Sequence, residues 1–120
     1  MEHRQKKILI ADDDPAILEV LTLFFEEVGY EVETTHDGLT LRTFEHGPPD
    51  LLLLDIWMSG WNGRDLCRFL KSQEETRHLP ILLVSANRDM ERIAREAGAD
   101  DFIAKPFDLD KLLEKIERWL

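Results

Sequence analysis

Short apolar runs alternate along this chain with longer stretches in which apolar residues recur every three or four positions. A run of four or five apolar residues is typical of a buried strand, whereas the longer spacing is typical of a helix with one apolar face. The alternation occurs five times without a linker or low-complexity segment, so we predict one domain over residues 1–120. The predicted strands are Lys7–Ala11, Tyr30–Thr34, Leu51–Leu54, Ile81–Val84 and Phe102–Ala104.

A predicted helix follows each predicted strand, and several have recognisable start and stop residues. Asp14 and Pro15 suit the N-cap and first position of a helix that Gly29 ends. Asp37-Gly38 is expected to begin a second, weaker helix, and Asn62-Gly63 is typical of a turn. The inner faces of helices two to five carry Leu41 and Phe44; Leu66, Phe69 and Leu70; Met90, Ile93, Ala94 and Ala97; and Leu109, Leu112, Leu113 and Ile116.

Five strand-then-helix units predict a parallel sheet covered by helices on both faces, which is an α/β sandwich. Right-handed crossovers place helices on both faces only if the strand order reverses somewhere in the sheet. Ligands of such folds bind at the carboxyl ends of the strands beside that reversal. Polar residues at those ends are therefore the first candidates for function.

Polar side chains with complementary chemistry follow four of the predicted strands. Asp12 and Asp13 follow the first strand, Asp55 the third, Ser85 the fourth and Lys105 the fifth. Clustered carboxylates repel one another, and a divalent cation with oxygen ligands, Mg²⁺ or Mn²⁺, relieves that repulsion. A lysine ammonium and a serine hydroxyl can bind phosphoryl oxygens. This pattern predicts a metal-assisted phosphoryl site with Asp55 as a carboxylate nucleophile.

Each of these residues also has an ordinary structural interpretation when it is taken alone. Asp14, beside the cluster, is better explained as a helix cap than as a ligand. Ser85 could simply end a strand, and Lys105 could be a solvated lysine in a turn. The functional interpretation is favoured because four separate strand ends carry complementary groups, and buried strands seldom end in a charge for packing reasons.

Four segments in order and spacing resemble the signatures of response-regulator receiver domains, and together they span nearly the whole chain. They are residues 8–14 (ILIADDD), 50–55 (DLLLLD), 82–86 (LLVSA) and 98–107 (GADDFIAKPF). The resemblance implies a flavodoxin-like, doubly wound (βα)5 three-layer sandwich whose five-stranded parallel sheet has the order 2-1-3-4-5. It also implies a phosphorylation switch that accepts a phosphoryl group from a sensor histidine kinase or phosphotransfer protein.

The resemblance assigns roles to particular residues. Asp55 would be the phosphoacceptor, Ser85 and Lys105 would contact the phosphoryl oxygens, and Lys105–Pro106 would be a cis peptide bond. Ser85 and Phe102 would also be the residues that move in the switch, although Phe102 could equally be a fixed core aromatic. Asp13 and Asp55 would hold Mg²⁺ directly, Asp12 would hold it through water, and the main-chain oxygen of Trp57 would complete the protein ligands.

The same resemblance places an output or dimerisation surface on the fourth helix, fifth strand and fifth helix. In this chain that surface includes Asp89–Ala97 and Asp108–Leu120, and Trp119 either belongs to it or packs at its boundary. Trp57 occupies a position that flanks the path of hydrolytic water in the family. Its indole either shields the phosphoryl group from water or lies flat on the surface. Ser59 replaces a common proline and removes a backbone restraint from this loop.

Charge and composition limit the classes of binding partner and the cellular compartment that we expect for this chain. A net charge of −10 repels nucleic acid and anionic membranes, so direct binding to either is not expected. The apolar run after the basic start is too short for a signal peptide or a membrane helix. The lone Cys67 excludes an internal disulfide and fits a reducing cytosol, so we expect a cytoplasmic protein. The final helix could end either a stand-alone regulator or one domain of a longer protein.

Three other functions compete with the phosphoacceptor switch, which is not itself expected to be an enzyme. An aspartyl phosphohydrolase of the haloacid-dehalogenase type needs an acid two residues after its nucleophile, and this chain has Trp57 there. A flavodoxin-like cofactor carrier needs a phosphate loop, whereas three aspartates follow the first strand. An inactive receiver that acts as an interaction scaffold would lack one of the acidic, hydroxyl or lysine positions, and none is missing.

Overall fold

A computed structural model describes residues 5–38, 41, 44, 47–58 and 62–120 of this chain. Its strands alternate with helices as the hydrophobic pattern predicts, with one predicted helix outside the described range. The elements are β1 (Lys7–Ala11), α1 (Pro15–Val28), β2 (Glu31–Thr35), β3 (Leu51–Asp55), α2 (Gly63–Ser72), β4 (Ile81–Ser85), α3 (Met90–Ala97), β5 (Asp101–Ala104) and α4 (Leu109–Trp119).

The five strands form one parallel sheet in the order β2-β1-β3-β4-β5. β1 pairs with β2 on one side and with β3 on the other, so the strand order reverses beside β1. This confirms the predicted order and places the carboxyl ends of β1 and β3 next to each other. A ligand crevice at this reversal is characteristic of open α/β sheets.

Two apolar layers cover the sheet because alternate residues of a strand face opposite sides. On one face, Leu52 and Leu54 pack in a cluster with residues of α2 and α3. On the other face, Leu51 and Leu53 pack in a cluster with residues of α1 and α4. The lone Cys67 is fully buried in the first cluster, and burial raises the pKa of its thiol to about 12. The protein is therefore the predicted three-layer sandwich.

Several element ends follow the predicted caps, and two strands begin one residue from the predicted start. The Asp14 carboxylate accepts a hydrogen bond from the N–H of Ala16, and Gly29 ends α1 with a φ of 118°. β2 begins at Glu31, because the Glu31 N–H bonds to Lys6 O, and β5 begins at Asp101, because Asp101 pairs with Leu82.

Asn62-Gly63, predicted as a turn, is the beginning of α2. The Asn62 side chain caps the helix by accepting a hydrogen bond from the Arg64 N–H at 2.8 Å. The second predicted helix, from Asp37-Gly38 through Phe44, lies largely outside the described residues, and so does Ser59. Within the described residues, no helix is long and apolar enough to cross a membrane.

Candidate functional site

Three of the predicted site residues meet at the carboxyl end of the sheet. Asp12 directly follows β1, Asp55 is the last residue of β3, and Lys105 directly follows β5. The Lys105 Nζ lies 3.0 Å from Asp12 Oδ2 and 3.0 Å from Asp55 Oδ2, so one ammonium bridges two carboxylates. The fold thus brings together side chains that are 93 and 50 residues apart in sequence.

Backbone N–H groups hold the other oxygen of each carboxylate. Asp12 Oδ1 accepts a hydrogen bond from the Asp14 N–H at 2.9 Å. Asp55 Oδ1 accepts one from the Trp57 N–H at 3.1 Å. Each acid is therefore fixed by the turn that follows its own strand, while its second oxygen faces Lys105.

Burial of this cluster affects the pKa values of two of its charged groups, Asp55 and Lys105. Asp12 is 4% exposed and Asp55 is 7% exposed. Burial raises the pKa of Asp55, and the neighbouring Asp12 charge adds to that rise. The hydrogen bonds from Lys105 and from the Trp57 N–H only partly oppose it. Burial alone would lower the pKa of Lys105, but its hydrogen bonds and charge interactions with Asp12 and Asp55 raise it above the usual value.

Ser85 lies at the end of β4, beside β5 and Lys105. It is 1% exposed, and its Oγ accepts a hydrogen bond from the Asn87 N–H at 3.0 Å. The Ser85 carbonyl accepts a hydrogen bond from the Lys105 N–H at 2.9 Å. The pairing of β4 with β5 therefore places the predicted hydroxyl and the predicted lysine at the same end of the sheet.

Asp13 differs from the other two acids in its exposure. Its side chain is exposed, whereas those of Asp12 and Asp55 are buried. Among the described residues, no three His, Cys, Asp or Glu side chains are close enough together to hold a metal ion. The ammonium of Lys105 supplies the positive charge between Asp12 and Asp55 here.

The donor set nevertheless suits a hard divalent cation. Two buried carboxylates share a single ammonium, which leaves a net negative charge before the neighbouring Asp13 is counted. All of the side-chain donors of the predicted metal site are oxygens, the ligands that Mg²⁺ prefers. The residues present therefore fit the predicted metal.

Two aromatic residues of the predicted site lie near the protein surface. The Trp57 side chain is 64% exposed, although its N–H is bound to Asp55. Phe102 is half-buried on β5, and the Lys115 ammonium lies 4.9 Å from the centre of its ring. The Lys105–Pro106 peptide bond is cis, as expected from the resemblance.

Gly63 supports the site in a way that the sequence analysis missed. Its N–H donates to Ile56 O at 2.8 Å, and a Cβ at this position would lie 2.3 Å from the backbone oxygen of Asp55. The beginning of α2 thus packs directly on the turn that carries Asp55. The signal in the sequence was the glycine shortly after a strand end, which alone predicts only a turn.

Comparison with known proteins connects this geometry to one family. A family model described as the response regulator receiver domain matches residues 8–117. The DNA-binding response regulator MtrA of Mycolicibacterium smegmatis is 34% identical over 119 residues, covering 97% of this chain and 51% of MtrA. The response regulator MprA of Mycobacterium ulcerans is 40% identical over 117 residues, covering 95% of this chain and 50% of MprA.

A solved structure shows the same architecture. The receiver domain of a signal transduction histidine kinase from Syntrophus aciditrophicus matches with a TM-score of 0.87 and 35% identity, covering 96% of this chain and 89% of that one. The chain spans about half the length of the two curated relatives. The similarity therefore concerns one domain of those proteins.

Proposed function

Because the chain belongs to the response regulator receiver-domain family of two-component signalling, we propose that Asp55 accepts a phosphoryl group from a histidine of a sensor kinase or phosphotransfer protein. The observation that supports this proposal is the bridge from Lys105 to both Asp12 and Asp55 at the carboxyl end of the sheet. In this hydrogen-bonded cluster, Asp55 would be the nucleophile, Lys105 the cation that binds the phosphoryl group, and Asp12 the second acid.

In the proposed transfer, a carboxylate oxygen of Asp55 attacks the phosphorus of the donor. A new P–O bond forms, the P–N bond of phosphohistidine breaks, and its electron pair remains on the imidazole nitrogen. Lys105 turns from the carboxylates to the phosphoryl oxygens, and the Ser85 hydroxyl donates a hydrogen bond to one of them. The product is an acyl phosphate on a chain that is otherwise unchanged.

Asp12, Asp13, Asp55 and the main-chain oxygen of Trp57 would hold Mg²⁺ or Mn²⁺ in this proposal. The metal would neutralise the negative charge that the carboxylates and the phosphoryl oxygens bring together. The support for it is the excess of buried carboxylate over ammonium at Asp12, Asp55 and Lys105.

The proposed protein is a phosphoacceptor switch and not an enzyme that acts on separate substrates. Ser85 and Phe102 are its proposed moving residues. Its proposed output partner, or a second copy, binds the face of α3, β5 and α4. These three elements correspond to the fourth helix, fifth strand and fifth helix predicted from the sequence. With a net charge of −10, the chain does not bind nucleic acid or membranes directly, and it works in the cytoplasm.

Intact mass spectrometry after incubation with acetyl phosphate and Mg²⁺ tests the proposal. We expect one added phosphoryl group in the wild type. We expect none in the Asp55→Asn variant, and none in the wild type when EDTA is present throughout the incubation. This variant keeps the size of the side chain and removes its charge. If the wild type takes up no phosphate from any donor, the phosphoacceptor function is wrong and the chain is an interaction scaffold.

A further inference from the structure

The two edges of the sheet differ in how they deter pairing with another strand. β2 forms one edge and contains Glu31 and Glu33. Antiparallel pairing of two β2 strands centred on Val32 or Glu33 would place glutamates opposite each other, which disfavours association. β5 forms the other edge, and after Asp101 it contains only the apolar residues 102–104. A charge pattern like that of β2 is therefore absent from β5.

Side chains occupy the backbone groups of Phe102 in the middle of β5. Its N–H donates to Asp101 Oδ1 at 2.8 Å, and its carbonyl accepts from Lys115 Nζ at 2.7 Å. The same ammonium donates to Asp101 Oδ1 at 3.0 Å and lies over the Phe102 ring. Both backbone groups of Phe102 thus have partners although, among the residues that the structure describes, no strand lies beyond β5.

Trp119 extends this cluster to the end of α4. Its indole N–H donates to the second carboxylate oxygen of Asp101 at 3.1 Å. Burial would raise the pKa of Asp101, but the hydrogen bonds from Lys115, Phe102 and Trp119 lower it below the usual value. The carboxylate therefore stays ionised and keeps its hold on all three donors at neutral pH.

A groove of about 290 Å³ lies beside the same strand. Phe102, Ala104 and Phe107 line it together with Lys111 and Lys115. An added strand would lie along this side of β5. Lys115 therefore lies where such a strand would have to enter.

We propose that Asp101, Lys115 and Trp119 form an edge cap that closes the main-chain groups of β5 to strand pairing with a second copy of this chain. A copy that packs against side chains on the face of α3, β5 and α4, as proposed above, would leave this cap in place. The strand is well suited to pairing with itself once it is uncapped. In an antiparallel pair centred on Ile103, Phe102 lies opposite Ala104, and Asp101 lies opposite Lys105 of the other copy. No like charges face each other in that register, in contrast to the glutamates of β2.

Light scattering coupled to size-exclusion chromatography of Lys115→Met tests the edge cap. The variant removes the donor to the Phe102 carbonyl, and we expect its molar mass to rise about twofold over the wild type at high protein concentration. Lys111→Met is the matched control, because Lys111 is exposed on the same helix, lines the same groove and forms no ion pair with the described residues. Equal masses for both variants and the wild type would overturn the proposal.

Asp101→Ala tests the cap from its other side, because it removes the acceptor for the Phe102 N–H. Circular dichroism at low concentration reports whether each variant retains its helices and sheet. A doubled mass with a native spectrum in both Lys115→Met and Asp101→Ala supports the cap, and a mass equal to that of the wild type in either of them would overturn it. Loss of the fold in both variants would show that these contacts hold the native chain together and do not protect its edge, which would also overturn the proposal.

Discussion

The two carboxylate oxygens of Asp55 have different partners, and the difference defines the site at the scale of single residues. Oδ1 is bound by the Trp57 N–H of the same turn, and Oδ2 is bound by Lys105, which directly follows β5. The local contact orients the acid, whereas the distant contact brings a positive charge to it. Trp57 is consequently fixed next to the proposed phosphoacceptor through its backbone, while most of its indole remains exposed.

We predict that Trp57→Asn loses phosphate from Asp55 faster than the wild type. The indole would cover the approach of water to the acyl phosphate, and a small polar side chain would not. An acceleration of about tenfold corresponds to about 1.4 kcal/mol in the barrier. Intact mass after removal of the donor measures the loss. Equal rates in Trp57→Asn and the wild type would mean that the indole does not shield the phosphoryl group.

At the scale of elements, the start of α2 packs closely on the end of β3. This close approach is possible because Gly63 has no side chain. An added Cβ would lie 2.3 Å from Asp55 O and 2.7 Å from Ile56 Cα. Both are backbone atoms that cannot rotate away, so the helix and the strand would have to separate. This close approach connects the packing of α2 to the position of the acidic turn.

We therefore predict that Gly63→Ala lowers the free energy of unfolding by about 3 kcal/mol, the cost of forcing extra volume into a packed interior. Chemical denaturation monitored by circular dichroism measures the change. Gly98→Ala serves as a control, because its added Cβ meets only the Lys71 side chain at 3.7 Å and its strain comes from a φ of 79°. We expect the control to lose about 1 kcal/mol. A similar loss in both variants would contradict steric conflict at Gly63.

The sequence could predict the strands, their order and the meeting of Asp12, Asp55 and Lys105, because apolar runs have sharp ends and parallel strands align those ends. It could not predict the contacts of Lys71 or Lys115. Each lysine lies on a helix, but its partners lie on other elements: Lys71 Nζ binds Leu79 O and Asp100 Oδ2. The exposed position of a lysine in a helical pattern does not indicate which distant oxygen it will reach.

At the scale of the whole molecule, the contacts of Asp101 make stability depend on pH. The folded state lowers the pKa of this carboxyl, so its contribution to stability is present above the unfolded value of about 3.9. That contribution is lost as the pH falls through the lower folded value. Protonation then weakens the connection between β5 and α4.

We predict that the wild type is more stable than Asp101→Asn at pH 5 to 7, and that this advantage shrinks as the pH falls below about 4. Denaturant unfolding of both proteins over this range, at low concentration to avoid association, measures the difference. Asp65→Asn is a suitable control, since Asp65 is exposed and its ion pair with Arg68 spans 4.0 Å. A difference between the wild type and Asp101→Asn that did not vary with pH would contradict the role of ionised Asp101.

The bridge from Lys105 to Asp12 and Asp55 also has a consequence for synthesis of the chain. Asp12 and Asp55 are made early, but their ammonium partner, Lys105, comes directly after the last strand of the sheet. A nascent or truncated chain that ends before Lys105 therefore lacks the counter-charge of these two acids. We expect such a chain not to complete the proposed acceptor site, so unfinished chains would not compete with finished ones for the phosphodonor.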